Sequence, residues 1–394
     1  MNMQKVMHVK RSQPLRPSKI GLFNACPLRY IFETERPAPG GLLPGPQVYL
    51  GIAFHGAIEH FWGQPTVKGV DVREWIRSEF VKKVMAHDKG LCQWLLQRET
   101  IDAVISPSLV TDSARLAQKQ IATSKPAKIC ESSFSAEKSE GIFGVERRLF
   151  SEVLDIAGRA DLVERDGPRV CVVDFKLGLP VTDSGEPKPE YLLQLAAYAL
   201  IIKEQLGEGE IVLELRSPKK TSRHVFDSVL EANVVRTIKD MHTTLPRNTT
   251  LDAASISRKG DHCLTCGYRS LCINYLSRLS GSSDIDRDYI SPLDLYGKVI
   301  STSSDTSTLS IVLSAKPDSR RVKISDIPLE MVPEQLRSGE EVAVFSMATP
   351  EVQGKGNYIA NFHIWDRINP RQSAFACRVL HVDRHSFRID NRLS

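Results

Sequence analysis

Asp161, Asp174 and Lys176 carry the clearest chemical signal in this chain. They sit in Arg159-Ala160-Asp161-Leu162 and Val172-Val173-Asp174-Phe175-Lys176, two stretches joined through the turn sequence Asp166-Gly167-Pro168-Arg169. Pairing Asp166 with Arg169 sets positions summing to 335 opposite one another, so Asp161 faces Asp174. Cβ atoms of directly opposed residues lie about 4.5–5.5 Å apart, and like charges there are destabilising. Two carboxylates so placed require a cation. Lys176, two residues beyond Asp174, shares its face about 7 Å along the strand. Oxygen ligands of this kind suit Mg²⁺ or Mn²⁺, which orient a phosphate and lower the pKa of a bound water. An ammonium beside that ion can hold the water or offset charge on pentavalent phosphorus, which is the chemistry of phosphodiester hydrolysis. The plainer alternative is a pair of solvent-facing aspartates on an ordinary sheet, and a β-bulge at Gly158 would break the register.

The elements that must position these groups follow from hydrophobic period. Residues 145–154, 156–165 and 169–177 alternate with period two between turn signals, which predicts an antiparallel meander. Residues 190–205 are apolar nearly all round, which predicts a buried helix. Gln194 and Tyr198, four apart, share one face of it and need polar partners there. Residues 47–62 predict a helix with Leu50, Phe54, Ile58, Phe61 and Trp62 on one side and His55 and Glu59 together on another. His55 is either a metal ligand or an ordinary hydrogen-bonded histidine, and Tyr198 alone reads as packing. Further helices are predicted over 72–85, 108–124 and 230–243, and one capped by Ser18 runs through Leu22, Phe23 and Tyr30. Strands are predicted over 211–215 and 223–226.

Taken in order, Gly51-x-x-x-His55, Gly158-Arg159-Ala160-Asp161, Asp174-Phe175-Lys176 and Gln194-x-x-x-Tyr198 closely resemble the RecB-like branch of the PD-(D/E)XK nucleases. The resemblance spans residues 17–280 and implies an α/β fold with a restriction-endonuclease-like central mixed sheet flanked by helices. It implies that His55, Asp161, Asp174 and the Phe175 backbone carbonyl ligate the divalent ions. Lys176 would then position or activate the attacking water, and Gln194 and Tyr198 would steady the site or contact DNA. Asp174 stands where many relatives carry Glu, a shorter carboxylate of the same ligand type.

Cys263-Leu-Thr-Cys266-Gly-Tyr-Arg-Ser-Leu-Cys272 is a C-x2-C-x5-C cluster, and Cys26 is a candidate distant fourth ligand. Four thiolates suit either a 4Fe-4S cluster or tetrahedral zinc. One distant cysteine with three clustered ones resembles the iron-sulfur subgroup of the same nucleases, where the cluster staples the two ends of the domain. Zinc, and then free thiols, are the alternatives. Cys92, Cys130, Cys171 and Cys377 lack such neighbours and read as buried or inert thiols.

The 394 residues suggest two or three compact units, and 41% hydrophobic with 25% charged residues is an ordinary globular composition that excludes fibrous or largely disordered classes. A net charge of +5 says little about partners, although residues 1–16 read as a basic N-terminal arm. The nuclease domain is expected over 17–282 and an all-β, OB-like module over 290–394. The tail aromatics Phe345, Tyr358, Phe362, Trp365 and Phe375, with Lys355, Arg367 and Arg371, are candidates for a single-strand platform. From residue 284 on, 14 basic and 15 acidic side chains leave the module near neutral, and packing of its own core or protein docking is the equal alternative. The expectation is a metal-dependent deoxyribonuclease for single-stranded DNA ends or flaps in repair, recombination or defence, with a helicase or other protein partner. Its rival is a catalytically silent nuclease-derived scaffold. No apolar run of membrane-spanning length and no export segment is evident, so cytoplasmic residence with no membrane partner is expected.

Overall fold

The computed structural model describes residues 6–35, 42, 46–62, 71–87, 107–123, 141–207, 209–281, 289–306, 308–317, 319–329, 336–348, 357–360 and 378–381. In chain order its first part runs β1 (Val6–Lys10), α1 (Ile20–Ala25), α2 (Pro27–Thr34), α3 (Pro46–Phe61), α4 (Val72–His87), α5 (Pro107–Thr123), β2 (Gly144–Ser151), β3 (Ile156–Asp166), β4 (Arg169–Phe175) and α6 (Pro189–Leu206). It continues through β5 (Ile211–Arg216), β6 (Thr221–Val225), α7 (Ser228–Thr244), β7 (Asn248–Asp252), α8 (Ala253–Ile256) and α9 (Ile273–Leu279). The tail holds β8 (Leu295–Ser304), β9 (Thr308–Ala315), β10 (Arg320–Pro328), β11 (Glu341–Phe345), β12 (Met347–Ala348), β13 (Asn357–Ala360) and β14 (Arg378–His381).

The central sheet has five strands in the order β2-β3-β4-β5-β6, antiparallel except for the parallel β4–β5 pair. A parallel pair needs a crossover, and α6 supplies it. Alternation assigns the two faces. Val170 and Val172 join Leu213 and Leu215 against α6, whereas Cys171, Val173 and Phe175 pack with Phe54, Phe80 and Ala117 of α3, α4 and α5. Burial of both faces explains why β4 reads as a nearly unbroken apolar run. Asp174 falls on the α6 face at the end of that run and is 2% exposed.

Two expectations change near the N-terminus. Residues 6–10 are not a solvated arm but a strand paired antiparallel with β7, because Met7 and Val9 alternate into the core beneath it. Arg11 is buried and donates to Asp155 Oδ2 at 2.8 Å, while Arg247 reaches Asp155 Oδ1 at 2.7 Å. The helix expected to run from Ser18 through Tyr30 is broken at Cys26, which is extended (φ −162°, ψ 110°). Pro27 disfavours helical backbone at the preceding residue and suits the first position of a new helix.

Asp155 therefore anchors the N-terminal strand to the β2–β3 turn. Burial alone would raise its carboxyl, but Arg247 and Arg11 outweigh this and hold it below the ordinary carboxylate range. A depressed carboxyl contributes stability above its unfolded value, about 3.9, and loses it as pH falls through the folded value. Asp155→Asn is expected to cost on the order of 2 kcal/mol in urea denaturation at pH 7, with the difference from wild type shrinking below about pH 4. A difference that persists unchanged in acid contradicts this assignment.

In the tail, β8, β9 and β10 form a meander, β11 returns beside β8 and β13 lies parallel to β10, within the sheet order β12-β13-β10-β9-β8-β11-β14. The order is an open series among the described pairings. Strand β10 was absent from the sequence reading because charged residues separate its buried Val322, Ile324 and Ile327. Phe345 is fully buried, which removes it from any stacking platform. Tyr358 lies on β13, and Lys355, Phe362, Trp365, Arg367, Arg371 and Phe375 fall outside the described residues. Arg269, just after Cys266, is buried and fixes the tail: it donates to Asp294 Oδ2 at 2.6 Å and Oδ1 at 3.1 Å, and Tyr275 Oη donates to Asp294 at 2.7 Å.

Candidate metal centre and thiol pocket

The β3–β4 ladder keeps the expected register from Leu162↔Val173 to Asp166↔Arg169. One step further the strands exchange no ladder bond. Instead the Phe175 N–H donates to Asp161 Oδ2 at 2.7 Å. In an extended strand the N–H and C=O of one residue point the same way, so the Phe175 carbonyl also faces the Asp161 side. Lys176 Nζ lies 2.8 Å from Asp174 Oδ2 and donates to Oδ1 at 3.1 Å, and Gln194 Nε2 donates to the same Oδ1 at 2.8 Å. Oδ2 is buried and receives no well-directed hydrogen bond, since the Lys176 contact is an ion pair off the hydrogen-bonding line.

One face of α6 positions these groups through residues spaced i, i+3 and i+7. Tyr191 places its ring 4.7 Å from Lys176 Nζ, Gln194 holds Asp174, and Tyr198 donates to the Arg159 carbonyl at 2.8 Å. Tyr198 is 2% exposed, so it steadies the strand and makes no contact with solvent-borne DNA. Gly158 is required by this packing, because a Cβ there would lie 2.8 Å from Tyr198 Oη and 3.0 Å from Pro17 Cδ. Gly158→Ala is expected to cost about 1–3 kcal/mol by overpacking, while Tyr198→Phe costs about 1 kcal/mol. Combining them in one chain should recover part of the alanine's cost in chemical denaturation. Strict additivity would contradict the contact.

His55 Nδ1 lies 3.5 Å from Glu146 Oε1 and 3.6 Å from Asp161 Oδ1, and the three side chains offer ligand atoms within 4.8 Å of one another. Glu146 is the residue the sequence reading missed. The β2–β3 pairs Val145↔Leu162 and Arg147↔Ala160 set position 146 opposite Asp161. Its φ of 52° is a strained value for a non-glycine residue, and Arg159 Nε holds its second oxygen at 2.8 Å. The signal was available: the register argument that paired Asp161 with Asp174, run around the preceding turn, reaches Glu146. Asp174 stands apart from that trio, drawn toward Lys176 and Gln194.

The electrostatics match this division. Burial would lower His55, but Asp161 and Glu146 outweigh it and hold the imidazole at about 9. Burial pushes the Asp174 carboxyl up, to about 6, against the opposing pull of Lys176. Burial would lower Lys176, yet Asp174 and Asp161 raise it, so the ammonium stays charged. Two carboxylates and one imidazole with ligand atoms within 4.8 Å of one another fit a hard divalent cation.

Cys26, Cys263, Cys266 and Cys272 line one cavity of about 330 Å³, counting its open mouth. The Arg258 main chain ties the distant cysteine to the local ones: its N–H donates to Cys26 Sγ at 3.5 Å and its carbonyl accepts from Cys263 Sγ at 3.7 Å. Burial raises Cys26 and Cys263, but His262 and backbone hydrogen bonds outweigh it and both thiols are lowered. Burial pushes Cys272 up to about 12. A single tetrahedral zinc needs sulfurs about 3.8 Å apart. Among the described residues no three of these sulfurs lie mutually within 4.8 Å, so they do not form a preassembled ligand set for a single ion. Cys171 is buried elsewhere, beside Glu214, as an inert thiol should be. Cys92, Cys130 and Cys377 fall outside the described residues.

The structure is a mixed sheet flanked by helices, with carboxylates and a half-buried ammonium at adjoining strands and a histidine reaching them from α3. The chain belongs to the PD-(D/E)XK nuclease superfamily, whose profile matches residues 14–273. Its substrate class is therefore nucleic acid, and members of the superfamily typically use divalent metals. A solved structure described as "Crystal structure of SSO0001" is 16% identical, covering 58% of this chain and 97% of that one at a TM-score of 0.25, a value that carries no argument. No curated protein matches. No helix among the described residues is long and apolar enough to cross a membrane.

Proposed function

We propose that this chain is a Mg²⁺- or Mn²⁺-dependent deoxyribonuclease that hydrolyses phosphodiester bonds at single-stranded DNA ends or flaps. The observation that carries the reading is the His55–Glu146–Asp161 trio, whose ligand atoms lie within 4.8 Å of one another. His55, Asp161, Asp174 and the Phe175 carbonyl would hold the metal, with Glu146 as a further ligand. When bound there, a divalent ion supplies phosphate polarisation and a water of lowered pKa. Lys176, kept charged by Asp174 and Asp161, orients that water or offsets charge on the phosphate. Gln194 fixes the Asp174 rotamer by holding Oδ1, and a bound ion would share Oδ2 with Lys176. Tyr198 fixes the strand that bears Asp161.

A 4Fe-4S cluster on Cys26, Cys263, Cys266 and Cys272 is proposed as the structural staple between the ends of a nuclease domain spanning 17–282, with zinc as the alternative. The module over 290–394 is taken as an OB-like unit docked through Arg269 and Asp294, and a helicase or other protein partner fits a repair or defence role in the cytoplasm. End-labelled single- and double-stranded DNA, incubated with and without Mn²⁺, tests the reading. Metal-dependent loss of the single strand is expected. Tight DNA binding without cleavage under any divalent metal would instead make the chain a silent scaffold.

A further inference from the structure

The outward face of α3 is apolar where a surface helix should be polar. At 100° per residue, Val48, Gly51, Ile52, His55 and Glu59 fall within one arc of about 100°. The opposite face, with Leu50, Phe54, Ile58 and Phe61, is buried. Val48 and Ile52 nevertheless stand 51% and 47% exposed. Between them Gly51 occupies the helix interior, where glycine is unfavourable relative to alanine, and a Cβ there would meet nothing within 4 Å. Among the described residues, packing thus explains neither the exposed hydrocarbon nor the missing side chain. Both lie one to two turns from His55, and beyond His55 the same path reaches Glu59, whose carboxylate is paired by Arg159 at 3.4 Å.

We infer that this face is the platform for the unpaired nucleotides flanking the scissile phosphate. Val48 and Ile52 take the flat faces of bases, and Gly51 lets the strand approach the helix closely on its way to the metal centre. The occupant is a single strand because a duplex keeps its base faces stacked and out of reach, whereas unpaired bases seek apolar or aromatic surfaces. The inference rests on the proposed metal-dependent reading of His55 and its neighbours, and it goes further by naming the surface that selects the substrate.

The test uses the full chain carrying Val48→Gln/Ile52→Gln, which removes hydrocarbon without adding charge, and separately Gly51→Leu, which fills the open space. Val153→Asp is the control: Val153 is 83% exposed in the turn at the far end of β2 from Glu146. Affinity for a fluorescein-labelled oligothymidine is measured in EDTA, and hydrolysis of bis(p-nitrophenyl) phosphate is measured with Mn²⁺. The platform variants are expected to bind the oligonucleotide about tenfold more weakly, with small-diester hydrolysis unchanged and the control unaffected on both. Unaltered oligonucleotide affinity in both variants overturns the platform. So does an equal loss on both readouts, which would place the effect at His55. A wild-type protein inactive on every diester would refute the hydrolytic reading alone, because the binding comparison in EDTA still decides the platform.

Discussion

Asp174→Asn is expected to reduce Mn²⁺-dependent cleavage of single-stranded DNA on the order of 10³-fold while the protein stays folded. Asparagine keeps the volume and an Oδ1 that can still accept from Gln194, so the α6 contact survives. What disappears is the charge that a divalent ion requires. The substitution also strips Lys176 of its closest partner. Breaking a fully buried pair costs about 3–5 kcal/mol, but the Lys176 side chain is 23% exposed and keeps the Tyr191 ring, so about 2 kcal/mol and a fall in Tm of roughly 5 °C is the expected stability change. Circular dichroism and thermal melting alongside the cleavage assay separate the two effects. Retained cleavage would remove Asp174 from the site.

The second large effect concerns the thiols. Cys26→Ser is expected to abolish the broad visible absorbance of anaerobically purified protein and to lower Tm by roughly 10 °C. Cys26 and Cys263 are 237 positions apart, and cross-linking points that distant restrains the unfolded chain by about 5–6 kcal/mol in the chain-entropy estimate. The Arg258 main-chain bonds to both sulfurs are too few to replace that link. Cys171→Ser, at a thiol buried in the other core, should keep the colour. A colourless wild type containing zinc contradicts the cluster.

The legible parts of this molecule are those governed by period and by local turn chemistry. The turn-bounded apolar run of β4 and the all-round apolarity of α6 marked a strand and a buried helix, and one turn, Asp166 to Arg169, set the register that runs up to Leu162 and Val173. The pairing of β1 with β7 was hidden because it joins segments about 240 residues apart that carry no mutual signal. Glu146 was legible but unread: the β2–β3 register that sets it opposite Asp161 follows from the turn before β3 in the same way. Tyr191 went unnoticed for a different reason: a ring under an ammonium is a tertiary contact, and in sequence it is one more apolar residue of a buried helix. Cys26 was found by its chemistry, and Pro27, which places it at a helix break, was in plain view beside it.

The central claim is that His55, Glu146, Asp161 and Asp174 share a divalent ion beside Lys176. Anomalous diffraction from crystals soaked in Mn²⁺ tests it most directly. The expected result is a manganese peak within about 2.2 Å of oxygens from both Asp161 and Asp174, lost in Asp174→Asn. A peak elsewhere in a protein that cleaves DNA, or none at manganese concentrations that support cleavage, would contradict it.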